Sequence, residues 1–239
     1  MVCMSTGLLK SKLSTVQRGT LFENHAIRLL ENLSMSLDRV GGSGDGGVDL
    51  IGWWWLPTAS EKKGKGRSKE SITPALVRDN TNMERKRIRI IAQCKAETKK
   101  LGPNYVRELE GVLHRLHAHS PTNEKGVSNP LFAALLVSQS PFTKATLLHA
   151  NSSPLPLFLL HAPAPDLMPE SNQQAGSDFG FGSAVWNPAL GKKKGLLGGE
   201  FDLRWDYDPN KSSDTQGSQY LSLWWKGRPV QKWTPEDKE

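Results

Sequence analysis

The chain has 239 residues, of which 31 are Lys or Arg and 24 are Asp or Glu, for a net charge of +7 at neutral pH. That length holds one embellished domain or two small ones, and two cysteines, Cys3 and Cys94, with no CxxC, exclude a disulfide framework and a cysteine-built structural zinc. The longest strongly apolar run, 154–163, is about half the ~20 residues that a bilayer-spanning helix needs, so no membrane span is expected.

Residues 1–22 hold three bases and six Ser or Thr but no acid. That is the make-up of a matrix-targeting presequence and equally of a plain N-terminal tail, which we place at 1–15. Phe22, Ala26, Leu29, Leu30 and Leu33 recur at helical spacing and predict an amphipathic helix over 16–33 with Glu23 on its flank. Glycines 42, 44, 46 and 47 mark a turn that feeds a strand through Trp53, Trp54 and Trp55.

Residues 56–86 form a polar, Lys-rich insertion without sustained periodicity, and 87–97 (RIRIIAQCKAE) then reads as a strand by its β-branched run. Between 61 and 100 there are thirteen basic side chains against five acidic ones, so the net positive charge of the whole chain is concentrated there. Such a patch attracts polyanions by Coulomb force and counterion release, which makes nucleic acid the leading partner; a solvated basic loop is the other reading of 61–70.

Pro103 opens a second helix, carrying Val106, Leu109, Leu113 and Leu116 to about residue 119. The apolar run 131–138 predicts a buried strand, 140–150 a short helix with Ser140 as N-cap and Pro141 in its first turn, and 156–162 another buried strand. Strand, helix, strand favours a right-handed parallel crossover and an α/β core ending near 162. Residues 163–239 turn rich in Gly, Pro, Ser and Trp. There 201–207 alternates Phe201, Leu203, Trp205 and Tyr207 with Asp202, Arg204 and Asp206, predicting a half-buried strand, and 220–225 suits a second. We expect this extension to pack on the core through 184–188 and these strands.

A formal GxGxxG at Gly42, Gly44 and Gly47 fails as a dinucleotide site, because a strand and not a helix follows it. A different spacing carries chemistry: Asp49 at the start of one strand, and Gln93-Cys94-Lys95 on the next. The two-residue period of a strand puts Gln93 and Lys95 on one face and Ala92, Cys94 and Ala96 on the other. An amide oxygen and an ammonium would then project toward the neighbouring carboxylate. Hard cations such as Mg²⁺ want oxygen sets of this kind, and a lysine beside a scissile phosphate can neutralise developing charge.

The segments GSGDGGVDLIG (42–52) and IIAQCKAE (90–97) resemble the Mrr-type restriction endonuclease branch of the PD-(D/E)XK nuclease superfamily. The resemblance covers about 16–162, including VRELEGVL (106–113) and VSQSPFTKAT (137–146). It implies an α/β fold with a restriction-endonuclease-like mixed β-sheet flanked by helices, followed here by a β-rich C-terminal extension. It further implies a Mg²⁺ or Mn²⁺ site at Asp49, completed by Gln93, Glu23 and the Cys94 backbone carbonyl, with Lys95 assisting the nucleophilic water. Lys62, Lys63, Lys65, Arg67, Lys69, Lys99 and Lys100 would contact nucleic acid, DNA more readily than RNA, with a homodimer as one way of cutting two strands. The whole chain, with its Lys-rich insertion and VWNP segment, is also similar to a family of fungal mitochondrial proteins required for respiratory growth, which implies a mitochondrial matrix location. The expectation is a metal-dependent nuclease serving mitochondrial DNA; the alternative is a non-cleaving nucleic-acid-binding factor on the same fold. Two departures bear on that choice: the insertion exceeds a tight hairpin, and Gln93 replaces the superfamily's commoner acid.

Each residue also has a plain structural reading. Glu23, three after Thr20, is either catalytic or the closing residue of a capping box. Asp45 and Asp49 suit a Gly-rich turn, and we read Asp45 as structural. Cys94 reads as a small core residue. His114, His117 and His119 read as a polar helix face in preference to a zinc site. Trp53, Trp54, Trp55, Trp224 and Trp225 read as packing in preference to base stacking.

Overall fold

The structure, a computed structural model, describes residues 14–40, 46–59, 77–78, 83–119, 131–163, 181–207 and 219–235. Helix α1 (Thr15–Glu31) starts at a capping box in which Ser14 accepts from the Gln17 amide and Gln17 answers the Ser14 amide. The box therefore sits six residues upstream of Thr20 and Glu23, and the capping reading of Glu23 is corrected: it lies in mid-helix. Strand β1 (Met35–Arg39), too short to register as a periodic run, pairs antiparallel with β2 (Leu50–Pro57). At Gly52 a Cβ would stand 2.0 Å from the Ser36 carbonyl oxygen, so only glycine lets these backbones approach.

The two-residue β3 (Val77–Arg78) pairs with the foot of β4 (Glu84–Lys95), whose twelve residues form the spine of the molecule. Both flanks of the expected 56–86 insertion thus belong to the sheet: β2 runs on to Pro57, and β4 begins at Glu84. Helix α2 (Asn104–His119) leads to β5 (Phe132–Ser138), and α3 (Lys144–Ser152) to β6 (Leu157–His161); β4, β5 and β6 are parallel, as the crossover pattern requires. The N-cap of α3 is Thr143, not Ser140. Ser140 donates instead to the Glu97 carbonyl at 2.5 Å, and Phe142 bridges to Leu101, so residues 140–142 tie loops together before the helix begins.

The main sheet does not stop near 162. Strand β7 (Ser183–Trp186) adds antiparallel to β6, giving the order β1-β2-β4-β5-β6-β7 with β3 beside β4. After the single turn α4 (Pro188–Gly191), β8 (Phe201–Tyr207), β9 (Gln219–Trp225) and β10 (Arg228–Pro229) form a second antiparallel sheet. One face of the main sheet packs with α1 and, through Leu190, Leu197, Phe201, Leu221 and Leu223, with the C-terminal region; the other packs with α2 and α3. The alternation expected along β8 holds only where it meets the core: Phe201 is buried, but Trp205 and Tyr207 are 39% and 66% exposed. No described helix is long and apolar enough to cross a membrane.

Candidate active site

The pairing of β2 with β4 ends at Leu50 and Ala92, so Asp49 and Gln93 stand one residue beyond the last matched pair. Here the two strands part. The Asp49 amide still donates to the Ala92 carbonyl at 2.9 Å and its carbonyl still accepts from Val40, but the next rung is made by a side chain: Asp49 Oδ2 accepts from the Cys94 amide at 2.6 Å. The Asp49 carboxylate therefore closes the ladder and is fixed in orientation by it. Because amide and carbonyl of one strand residue point the same way, the Cys94 carbonyl also lies on the Asp49 side of β4.

Gln93 is buried, 4% exposed, and its Oε1 has no hydrogen-bond donor among the described residues. An amide oxygen buried without a donor costs on the order of 1–3 kcal/mol, a cost that either a water or a cation would offset. Above it runs the glycine turn. Gly46 and Gly47 take φ of 65° and 85°, the Arg115 guanidinium donates to the Gly46 carbonyl at 3.0 Å, and a Cβ at Gly47 would come within 3.5 Å of the Gln93 amide nitrogen. Left-handed backbone and proximity together explain glycine there.

Lys95, two residues on, holds its ammonium 5.2 Å from the centroid of the Tyr105 ring, and the Tyr105 hydroxyl donates to Glu97 at 2.6 Å. That hydrogen bond, more than burial, raises the Tyr105 pKa and keeps the phenol protonated. The Cys94 thiol reports on the whole group: burial first, then the charges of Asp49 and Glu23, push its pKa well up, while Lys95 opposes them. It packs against the α1-side core, as its strand face predicts.

All four residues expected at the site thus gather at one end of the sheet, with different attachments. Asp49 is tied to the Cys94 amide, and Gln93 and Lys95 lie on the α2 face of β4, whereas Glu23 comes from α1 on the opposite face, the one Cys94 packs against, and is held by Arg39 at 2.6 Å, with Thr20 accepting a second bond from that guanidinium. Lys99 and Lys100 lie exposed just past β4. Lys62, Lys63, Lys65, Arg67 and Lys69 lie outside the described residues, as do Asp45 and the side chains of His117 and His119. Trp54 is fully buried and donates to the Leu33 carbonyl, which makes it core.

Sequence reading missed Gln139 and His161. They stand at the carboxyl ends of β5 and β6, the customary ligand edge of parallel strands, and that position was their available signal. The Gln139 amide donates to the Lys95 carbonyl at 3.0 Å, its own carbonyl meets His161 Nε2 at 3.2 Å, and its side-chain oxygen is buried without a donor among the described residues. Burial lowers the His161 pKa, partly countered by the Gln139 carbonyl.

Among the described residues there is no cluster of three or more His, Cys, Asp or Glu that could hold a metal ion. That counts against a site built from carboxylates alone as much as against one built from His or Cys, so a cation here would also need amide or backbone oxygens. A hard divalent cation wants oxygens, and the orphaned Gln93 Oε1 beside the Asp49 carboxylate fits that demand.

Residues 14–181 match the family described as required for respiratory growth protein 7. The chain belongs to that family. Similar members include the Vanderwaltozyma polyspora protein of that name, 30% identical over 166 residues that make up 62% of this chain and 63% of the relative, and the Saccharomyces cerevisiae S288c protein, 33% identical over 164 residues, 62% and 65%. An uncharacterized mitochondrial protein of Schizosaccharomyces pombe is 32% identical over 146 residues, 61% of this chain and 44% of its own length. The chain thus spans less than two thirds of the length of these relatives. No solved structure matches it. The required for respiratory growth protein 7 relatives are named as mitochondrial, and the present member is mitochondrial with them. Helix α1 through β6, and every residue of the candidate site, fall within the matched stretch.

Proposed function

We propose that this protein is a metal-dependent nuclease, hydrolysing phosphodiester bonds with Mg²⁺ or Mn²⁺, that serves mitochondrial DNA maintenance and through it respiratory growth. The observation that supports the reading is the end of the β2–β4 ladder: a carboxylate fixed by the Cys94 amide, next to Gln93, whose buried amide oxygen has no donor among the described residues, with a lysine two residues on. Asp49, Gln93 and the Cys94 carbonyl would hold the cation, with Glu23 bordering it. When bound, such a cation supplies charge neutralisation and an activated water at the scissile phosphate. Asp49 keeps its carboxylate in place without reorganisation, because the strand end already fixes it. Lys95, whose ammonium lies 5.2 Å from the Tyr105 ring centroid, would offer that charge to the phosphate oxygen on which negative charge develops.

The test is cleavage of plasmid, branched and single-stranded DNA by the full chain in Mg²⁺ and in Mn²⁺. At least one substrate should be cut, and Asp49→Asn should reduce cutting by about two to three orders of magnitude, the usual scale for losing one electrostatic element. Cutting that survives Asp49→Asn rejects the site. A second reading, a non-cleaving nucleic-acid-binding factor, draws on another observation: each carboxylate already has a structural partner, Asp49 the Cys94 amide and Glu23 the Arg39 guanidinium. It predicts that the parent protein binds DNA and cuts none of the three substrates.

A further inference from the structure

Trp53, Arg87 and Arg89 form a cluster that the candidate site does not use. Trp53 lies directly across from Arg89 in the β2–β4 ladder, and the guanidinium carbons of Arg87 and Arg89 stand 4.2 and 4.7 Å from the centroid of its ring. We infer that this cluster is a docking surface for the phosphate backbone of duplex DNA, separate from the candidate active site.

Three features argue for that occupant. Two like charges share one aromatic ring, and neither arginine has a carboxylate at ion-pair distance among the described residues. Their mutual repulsion is relieved by an anion that takes both, and planar guanidiniums match phosphate oxygens in pairs. Burial, and then the charge of Arg87, lower the pKa of Arg89 against the weaker pull of Asp38, as expected of a cation without a close counter-ion. Second, two guanidiniums already lie over the Trp53 ring, which leaves it less surface on which to stack an unpaired base. This favours a ligand that shows phosphates and keeps its bases paired. Third, the cluster sits where β2 and β4 enter the Lys-rich insertion, so further positive charge adjoins it in sequence.

The surface is distinct from the cleavage site. Arg89 precedes Gln93 by four residues on the same face of β4, ~13 Å by strand rise, and Ile91 between them is fully buried with α2. Docking there does not depend on the nuclease reading, since it needs neither divalent metal nor cleavage.

The experiment is fluorescence anisotropy of a labelled 30-base-pair DNA duplex with the full chain, without divalent metal, across a salt series. Exchanging both residues, Arg87→Gln with Arg89→Gln, should weaken binding about tenfold or more and make the salt slope shallower by roughly two, one for each phosphate no longer neutralised. An unchanged affinity and slope overturns the proposal. In the unaltered protein, saturating duplex should protect Arg87 and Arg89 from phenylglyoxal modification read by mass spectrometry; full modification of both overturns it irrespective of how the double variant folds. Duplex RNA bound tenfold tighter than DNA, or anionic vesicles that alone depend on the two arginines, likewise overturns it in favour of those partners.

Discussion

The two ends of β4 solve opposite problems. At its foot, the buried arginine is matched: Arg85, 3% exposed, donates to the Trp55 carbonyl and the Gln231 carbonyl and lies 5.1 Å from the centroid of the Trp233 ring. Trp233 in turn meets Trp55 edge-on at 5.7 Å, and its amide donates to Ser34, so residues 231–233 strap the C-terminal region across the sheet. At its head the same strand buries Gln93, whose side-chain oxygen has no donor among the described residues. Under the proposed function, the oxygen at the head of β4 is the one held for a cation, while the arginine at its foot is held by the protein itself.

That contrast can be broken in order of expected effect. Lys95→Ala should lower metal-dependent cleavage about a hundredfold or more while circular dichroism and DNA affinity hold, because its ammonium lies against Tyr105 and has no ion pair among the described residues to lose; a proportional loss of binding would place Lys95 in docking instead. Trp233→Ala should destabilise by about 2 kcal/mol in urea unfolding, from lost aromatic area and the uncovering of Arg85, without altering cleavage per folded molecule. Gln93→Leu should work the other way, stabilising the metal-free protein by about 1 kcal/mol, since it removes a buried acceptor at similar volume, while abolishing any rise in melting temperature on adding Mn²⁺. If Gln93→Leu destabilises, the oxygen has a donor and the contrast between the two ends disappears.

The smallest effect concerns His161 at the neighbouring strand end. Burial holds its folded pKa below the unfolded value of about 6.5, so the unfolded chain binds more protons as pH falls through that range. Stability should therefore drop from pH 7 toward pH 5, and His161→Gln should flatten that part of the profile.

How much of this is legible in the sequence depends on the range over which each feature is decided. The strand carrying Gln93 and Lys95, its neighbour carrying Asp49, and the parallel crossovers follow from local periodicity. That Asp49 and Gln93 stand near one strand end then needs only a register, which the apolar positions of the two strands fix. Ser140 misleads a local reading because its hydroxyl is claimed by the Glu97 carbonyl, 43 residues away in sequence, a competition that no local capping rule can see. Glu23 is ambiguous because two capping-box patterns stand in series in the sequence, Ser14 with Gln17 and Thr20 with Glu23, and only the earlier forms the box that starts the helix. Strand β8 follows its alternation only as far as the core beneath it reaches, since a pattern fixes which side faces inward but not where the inside ends. The unmatched oxygen of Gln93 is out of reach altogether, because satisfaction is a property of everything packed around an atom.

The most direct test is a crystal structure of the full chain grown with Mn²⁺, read by anomalous scattering. The account predicts one anomalous peak between Asp49 and Gln93, with the Gln93 amide oxygen among its ligands at about 2.2 Å, the ordinary length for a small hard cation bound to oxygen. A map without a peak there, in which Gln93 Oε1 instead accepts from a protein donor, would contradict it.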